Sequence, residues 1–310
     1  MINQKTCYPS YLALYESGEL HRRVEEARRR LGACTLCPRV CRANRLQNEI
    51  GDCNVGRWAL VSSFGPHFGE ERVLRGRYGS GTVFFAGCNL RCQYCQNYDI
   101  SQLLDGAAVS AERLAEIFLE IQEMGCHNLN LVTPTHVIAQ ILEALELAIP
   151  QGFRLPIVYN TSGYDSVAAL KLLDGVVDIY MPDLKYSDSQ IAKKYSGIEH
   201  YWEVARAAFK EMHRQVGDLL VENGLAKRGL LIRHLVLPNG IAGSKEVLKF
   251  IAEELSCDSW VNIMAQYHPA YKASEYPELS RRITSKEYWE VVEYARSLGL
   301  HRGIPLEYAD

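Results

Sequence analysis

The sequence predicts an α/β chain: a partial (β/α)6, TIM-like barrel preceded by an N-terminal cysteine-rich, metal-binding extension. Three observations carry this. Beyond residue 81, six short apolar runs alternate with amphipathic helical patterns, the signature of parallel strands buried on both faces and joined by right-handed crossovers. Six units are too few to close an eight-stranded barrel, so the sheet stays open, with chemistry at the C-terminal ends of its strands. Seven of the ten cysteines fall into two tight groups, four in 34–53 and three in 88–95. The 310-residue length, 23% charged residues and formal net charge of −3 describe an ordinary globular chain. They exclude a fibre, a coiled coil and a disordered tail, and a core of this size needs no disulfide staples.

The elements follow in order. Residues 1–33 read as a helical lead-in, with Leu20, Val24, Ala27 and Leu31 at helical spacing beside Arg22, Arg23, Arg28, Arg29 and Arg30, a solvated basic face on a helix. Residues 34–60 read as a small metal-tied module, and the glycines of 61–81 as a loop. Strands are expected at 82–86, 128–132, 156–160, 176–181, 230–237 and 261–265. Between them, Leu114, Ile117, Phe118 and Ile121 share a helix face after Ser110 as N-cap, with Gly125 as the stop. Ile138, Ile141, Leu142 and Leu145 share another before Pro150. Further helices are expected over 188–215, 244–255 and 285–298. The division is therefore a lead-in and four-cysteine module over 1–80 and a barrel with a C-terminal helix over 81–310.

Partners and location are bounded by the same composition. A slightly acidic chain is not a dedicated nucleic-acid binder. No apolar run reaches the roughly 20 residues of a membrane span, and MINQKTCYPSYLALYE lacks a secretory pattern, so a cytoplasmic protein is expected. Clustered thiols in such a chain hold metal rather than disulfides. Cys7, Cys126 and Cys257, outside the clusters, are expected to be small buried hydrophobes.

After the first strand the chain runs Gly87-Cys88-Asn-Leu-Arg-Cys92-Gln-Tyr94-Cys95-Gln-Asn. The spacing C-x3-C-x2-C places three thiolates at a strand end, where they can bind three irons of a 4Fe–4S cube and leave the fourth without a protein ligand. A vacancy of this kind marks metal sites that act on substrate. The loop resembles that of the radical S-adenosylmethionine (SAM) superfamily over about 80–270, and the string continued by Ile100-Ser101-Gln102 resembles the branch related to pyruvate formate-lyase activating enzymes. The resemblance implies that SAM chelates the vacant iron and is cleaved by one electron to methionine and a 5′-deoxyadenosyl radical, which takes a hydrogen atom from substrate. It further implies an electron donor such as flavodoxin or ferredoxin.

The resemblance extends to other strand ends. Tyr94 matches an aromatic near the adenine. Asp183-Leu184-Lys185 matches a motif that helps hold the SAM tail, Lys185 serving as a point charge for the carboxylate; the bland alternative is a surface ion pair. Asn160, Thr161, the Met181 carbonyl and Asp183 match a monovalent-cation site, with Asn160 standing where the family has a carboxylate. Arg233 and His268 match cofactor-proximal residues, whereas His234 reads as a satisfied core histidine. One departure is plain: the family's Gly-Gly-Glu is here Thr133-Pro134-Thr135. Thr133 and Thr135 can accept the SAM ammonium more weakly than a carboxylate, and Thr135 can instead cap the following helix.

Cys34, Cys37, Cys41 and Cys53, spaced C-x2-C-x3-C-x11-C, suit a structural zinc ion or a second cluster. The function expected is a radical SAM enzyme, in one version installing a glycyl radical on a partner protein. The alternatives are the same chemistry on a small metabolite, peptide or RNA, and, in another class, a non-catalytic iron–sulfur or zinc protein.

Overall fold

A computed structural model describes residues 8–305; Cys7 lies outside the described residues. In chain order the elements are α1 (Tyr11–Glu16), α2 (Glu19–Arg30), β1 (Ala59–His67), α3 (Arg72–Arg75), β2 (Ser80–Phe85), α4 (Tyr98–Ser101), β3 (Ala107–Val109), α5 (Ala111–Glu123), β4 (Leu129–Val132), α6 (Ile138–Ala148), β5 (Ile157–Thr161), α7 (Val167–Leu170), β6 (Ile179–Pro182), α8 (Ser189–Ser196), α9 (Tyr201–Val216), β7 (Leu220–Glu222), β8 (Leu225–Leu235), α10 (Ser244–Phe250), β9 (Trp260–Met264) and α11 (Ser285–Ser297).

The six expected strands are β2, β4, β5, β6, β8 and β9, and each pairs parallel with the next. The sheet does not close, as a six-unit barrel requires. The helices begin where their chemistry says they should. The Ser110 hydroxyl accepts the Arg113 N–H at 3.2 Å to cap α5, and Thr284 and Glu287 form a reciprocal capping box on α11. The expected stretch 188–215 is two helices, α8 and α9. On α2 the buried Leu20, Val24 and Ala27 face α6, while Arg22 and Arg23 pair with Glu19, and Arg29 and Arg30 with Glu26.

Three features correct the expectations. The stretch 61–81 is not a loop: it holds most of β1, which pairs antiparallel with β2, then α3 and the start of β2, so the sheet continues across residue 80. Its Ser62, Ser63, Gly65 and Pro66 hide the strand period, and Pro66 is tolerated because β3 covers only Ala59–Val61, leaving Pro66 on an edge. Two short antiparallel strands, β3 and β7, extend the sheet. Cys126 is buried as expected, but Cys257 is exposed, its thiol near the Ala252 and Leu298 carbonyls at 3.6 and 3.7 Å.

The principal core fills the space between the sheet and its helices. A smaller apolar cluster of Leu74, Val158, Ile179, Met181 and Leu231, with Leu219 and Ala226, fills the barrel interior. Since side chains alternate along a strand, the face carrying Val158, Met181 and Leu231 also carries Asn160, Asp183 and Arg233 further up. The connection from β1 to β2 passes beneath the N-terminal ends of the parallel strands and inserts Leu74 from α3 as a floor. The interior is thus apolar below and polar above, where the strands end.

Candidate active site

The loop after β2 carries Cys88, Cys92 and Cys95, all free thiols, the first two buried. Each sulfur has one donor in reach. The Leu90 N–H donates to Cys88 Sγ at 3.3 Å, Ser196 Oγ lies 3.1 Å from Cys92 Sγ, and Ser101 Oγ lies 3.2 Å from Cys95 Sγ. Burial pushes the Cys88 thiol up to about 12 and the Cys92 thiol up to about 11, Lys185 partly offsetting the latter. Such thiols stay protonated unless a metal claims the sulfurs. Three sulfurs, two of them buried and each with a hydrogen-bond donor, form a donor set that fits a cluster with three protein ligands.

Beside this loop lies a cavity of about 250 Å³, lined by Cys92, Tyr94, Cys95, Gln96, Asn97, Asp183, Lys185, Arg233, Leu235, Met264 and Gln266. Four strand ends or following loops, those of β2, β6, β8 and β9, supply these residues, as expected of chemistry at the C-terminal rim. Lys185 Nζ donates to Asp183 Oδ2 at 2.8 Å, and Arg233 Nε donates to Asp183 Oδ1 at 2.8 Å. Burial alone would raise the Asp183 carboxyl, but Arg233 and Lys185 outweigh it and hold it below the usual carboxylate range. Burial likewise works against the Lys185 and Arg233 cations, and Asp183 more than restores them. The Lys185 and Asp183 side chains are only 17% and 18% exposed, so this triad is no surface ion pair; all three groups stay charged at the cavity wall.

The remaining expected residues are placed variously. Tyr94 is buried, its hydroxyl 2.5 Å from that of Tyr186, which continues at 2.8 Å to Ser196 Oγ and so to Cys92. Asn160 Oδ1 accepts from Arg233 Nη2 at 2.8 Å, one layer beneath the cavity. His268 sits at the rim, 3.2 Å from Gln96 Nε2. Thr135 and Thr161 turn away, both hydroxyls donating to the buried Asp165 carboxylate at 2.8 and 2.6 Å. The groups expected around a monovalent cation are therefore divided, with a guanidinium already on Asn160 and Asp183. Thr133 takes φ 61° at the end of β4, a strained conformation for a β-branched residue. His234 is the satisfied core histidine expected, bonded to the Leu184 carbonyl and to Ser244 Oγ.

Sequence reading missed the hydroxyls on the cysteine sulfurs. Ser196 arrives from α8 with no local signal, while Ser101 was visible only as part of the string after the third cysteine. It also missed the acids beneath the site. Glu70 Oε2 accepts from Asn130 Nδ2 at 3.2 Å, Glu71 Oε1 from Asn262 Nδ2 at 2.9 Å, and both attract Arg233 from below.

Cys34, Cys37, Cys41 and Cys53 are also free thiols, and burial followed by mutual repulsion raises the Cys37 thiol to about 12. Among the described residues no helix is long and apolar enough to cross a membrane.

Comparison with known proteins adds relatives to this geometry. A model of the radical SAM superfamily matches residues 82–221. The uncharacterized protein MJ0674 of Methanocaldococcus jannaschii is 32% identical over 288 residues, covering 90% of this chain and 78% of its own. The pyruvate formate-lyase-activating enzyme of Clostridium pasteurianum is 27% identical over 175 residues, covering 55% of this chain and 66% of its own. A structure of TYW1 with a lysine-pyruvate adduct bound superposes with a TM-score of 0.45 at 12% identity, covering 70% of this chain and 73% of that one.

Proposed function

Since the chain belongs to the radical SAM superfamily, whose cofactors are a 4Fe–4S cluster and SAM, we propose that it is an enzyme of the activating-enzyme type that takes a hydrogen atom from a glycine of a partner protein. The observation that carries the reading is the single cavity in which Cys92 and Cys95 face the Asp183–Lys185–Arg233 triad. In this reading Cys88, Cys92 and Cys95 hold the cluster, which when bound supplies one electron to cleave the sulfonium of SAM. Lys185 offers its ammonium to the methionine carboxylate, and Asp183, kept ionised by two cations, fixes Lys185 in place. Tyr94 packs its ring at the cavity wall, locked by Tyr186. Thr133, and not Thr135 or Thr161, is the hydroxyl left to meet the amino group, since the other two are committed to Asp165. Support for a protein substrate comes from the relationship to an activating enzyme and from a sheet that does not close.

Reconstituted protein given SAM and a low-potential reductant is expected to yield 5′-deoxyadenosine and methionine, and Cys92→Ala to yield neither; undiminished cleavage by that variant would refute the reading. The substrate class is tested with α-deuterated glycine in candidate partner proteins. Deuterium in 5′-deoxyadenosine, together with a glycyl electron paramagnetic resonance doublet in the unlabelled partner that collapses to a singlet in the labelled one, supports the activating-enzyme version. Label arriving only from a small metabolite, a peptide or RNA overturns it in favour of that substrate.

A further inference from the structure

The four-cysteine module contains a buried cation without an anion. Arg45 is 1% exposed, its Nε donates to the Gly56 carbonyl at 2.8 Å, and its Nη1 donates to the His136 carbonyl at 2.6 Å and lies 3.8 Å from Cys34 Sγ. Its Nη2 has no partner, and no carboxylate pairs with it among the described residues. A guanidinium buried this way needs compensating negative charge. Four neutral thiols do not supply it; four metal-bound thiolates do.

Two metal groups could ionise these sulfurs, and the module's place against the three-cysteine loop chooses between them. A tetrahedral zinc ion draws its four sulfurs to about 2.3 Å from one point. A cube of iron and sulfide also takes four thiolates and, unlike zinc, changes oxidation state. Gly51 leaves the space such a body needs: a Cβ there would stand 3.1 Å from Cys41 Sγ and 3.6 Å from Cys53 Sγ. The backbone on either side of Cys41 is strained to present it, Val40 at φ 47° and Arg42 at φ 58°.

The module also abuts the three-cysteine loop. Arg39, two residues after Cys37, donates to the carbonyl of Asn89, next to Cys88, at 2.6 Å. Arg91, next to Cys92, donates to the carbonyl of Asp52, next to Cys53. Gly87 turns at φ 80°, and a Cβ there would stand 2.6 Å from the Cys53 carbonyl oxygen.

We propose that Cys34, Cys37, Cys41 and Cys53 hold a second 4Fe–4S cluster that relays electrons to the first. A one-electron donor of the flavodoxin or ferredoxin class gives one electron to the N-terminal cube, reducing its core from 2+ to 1+. That cube is reoxidised as it reduces the three-cysteine cluster by one electron. No atom or proton moves. The relay role rests on the radical SAM reading; the metal assignment does not.

The test is a count of iron, sulfide and zinc on anaerobically reconstituted full-length protein, beside the triple variant Cys88→Ala/Cys92→Ala/Cys95→Ala. The wild type is expected to hold about eight irons and the triple variant about four, the latter with a reduced-cluster paramagnetic signal. One zinc per chain in the triple variant, or no metal there, overturns the proposal even if SAM is cleaved. Four irons in the triple variant sustain the second cluster even if SAM cleavage fails. Gly51→Ala, which keeps all four cysteines but sets a Cβ against the Cys41 and Cys53 sulfurs, is expected to lose the N-terminal irons and to slow reduction of the first cluster by reduced flavodoxin at least tenfold, but not by titanium(III) citrate. Equal rates with flavodoxin would remove the relay.

Discussion

Lys185 shows how little of a residue's role sits in the residue itself. Its ammonium is held at 2.8 Å by an Asp183 that Arg233 holds from the other side. Replacing it by Met keeps the stem and removes the charge. Lys185→Met is expected to weaken SAM binding about tenfold or more, roughly 1.4 kcal/mol, measured by equilibrium dialysis on cluster-loaded protein. A lowered melting temperature with unchanged affinity would mean a structural pair only. The Asp-Leu-Lys string at a strand end was legible because the apolar run before it marked where a parallel sheet ends. Thr135 and Thr161 were not, because both hydroxyls answer to Asp165, whose burial nothing in the local pattern announced.

At the scale of elements, the parallel strands and major helices were readable from period and caps, and β1 was not. Its serines, glycine and proline conceal the alternation, and it exists because β2 offers it an edge. β2 is itself tightly covered. A Cβ on Gly81 would meet the Ile121 side chain at 2.1 Å and the Asn128 carbonyl oxygen at 2.7 Å, so α5 lies against this strand only because residue 81 has no side chain. Gly81→Ala is expected to destabilise the protein by about 1–3 kcal/mol, as overpacking does, read as a lower urea midpoint with an unchanged slope. An unchanged midpoint would show that α5 can lift from β2 at no cost. The element-scale lesson is that close approach is encoded by absence, which a sequence scan for periodic side chains passes over.

The molecule as a whole carries a column of charge along the barrel. Glu70 and Glu71 lie at the floor, Arg233 above them, and Asp183 with Lys185 at the mouth. No local pattern in the sequence connects these groups; closure of the β1–β2 connection beneath the parallel strands does. The column has a titratable end. Burial, with repulsion from Glu71, outweighs the pull of Arg233 and the Asn130 hydrogen bond and pushes the Glu70 carboxyl from 4.5 up to about 7. Between these values the folded protein holds a proton that the unfolded chain has released. Stability therefore falls as pH rises from about 4.5 to about 7, and the loss persists above. Glu70→Gln keeps an oxygen for Asn130 and removes the titration. The variant is expected to match the wild type near pH 4.5 and to exceed it by roughly 1–3 kcal/mol at pH 8, measured by denaturation at both values. A gap that stays constant with pH would place the Glu70 proton elsewhere and leave Arg233 neutralised from the mouth alone.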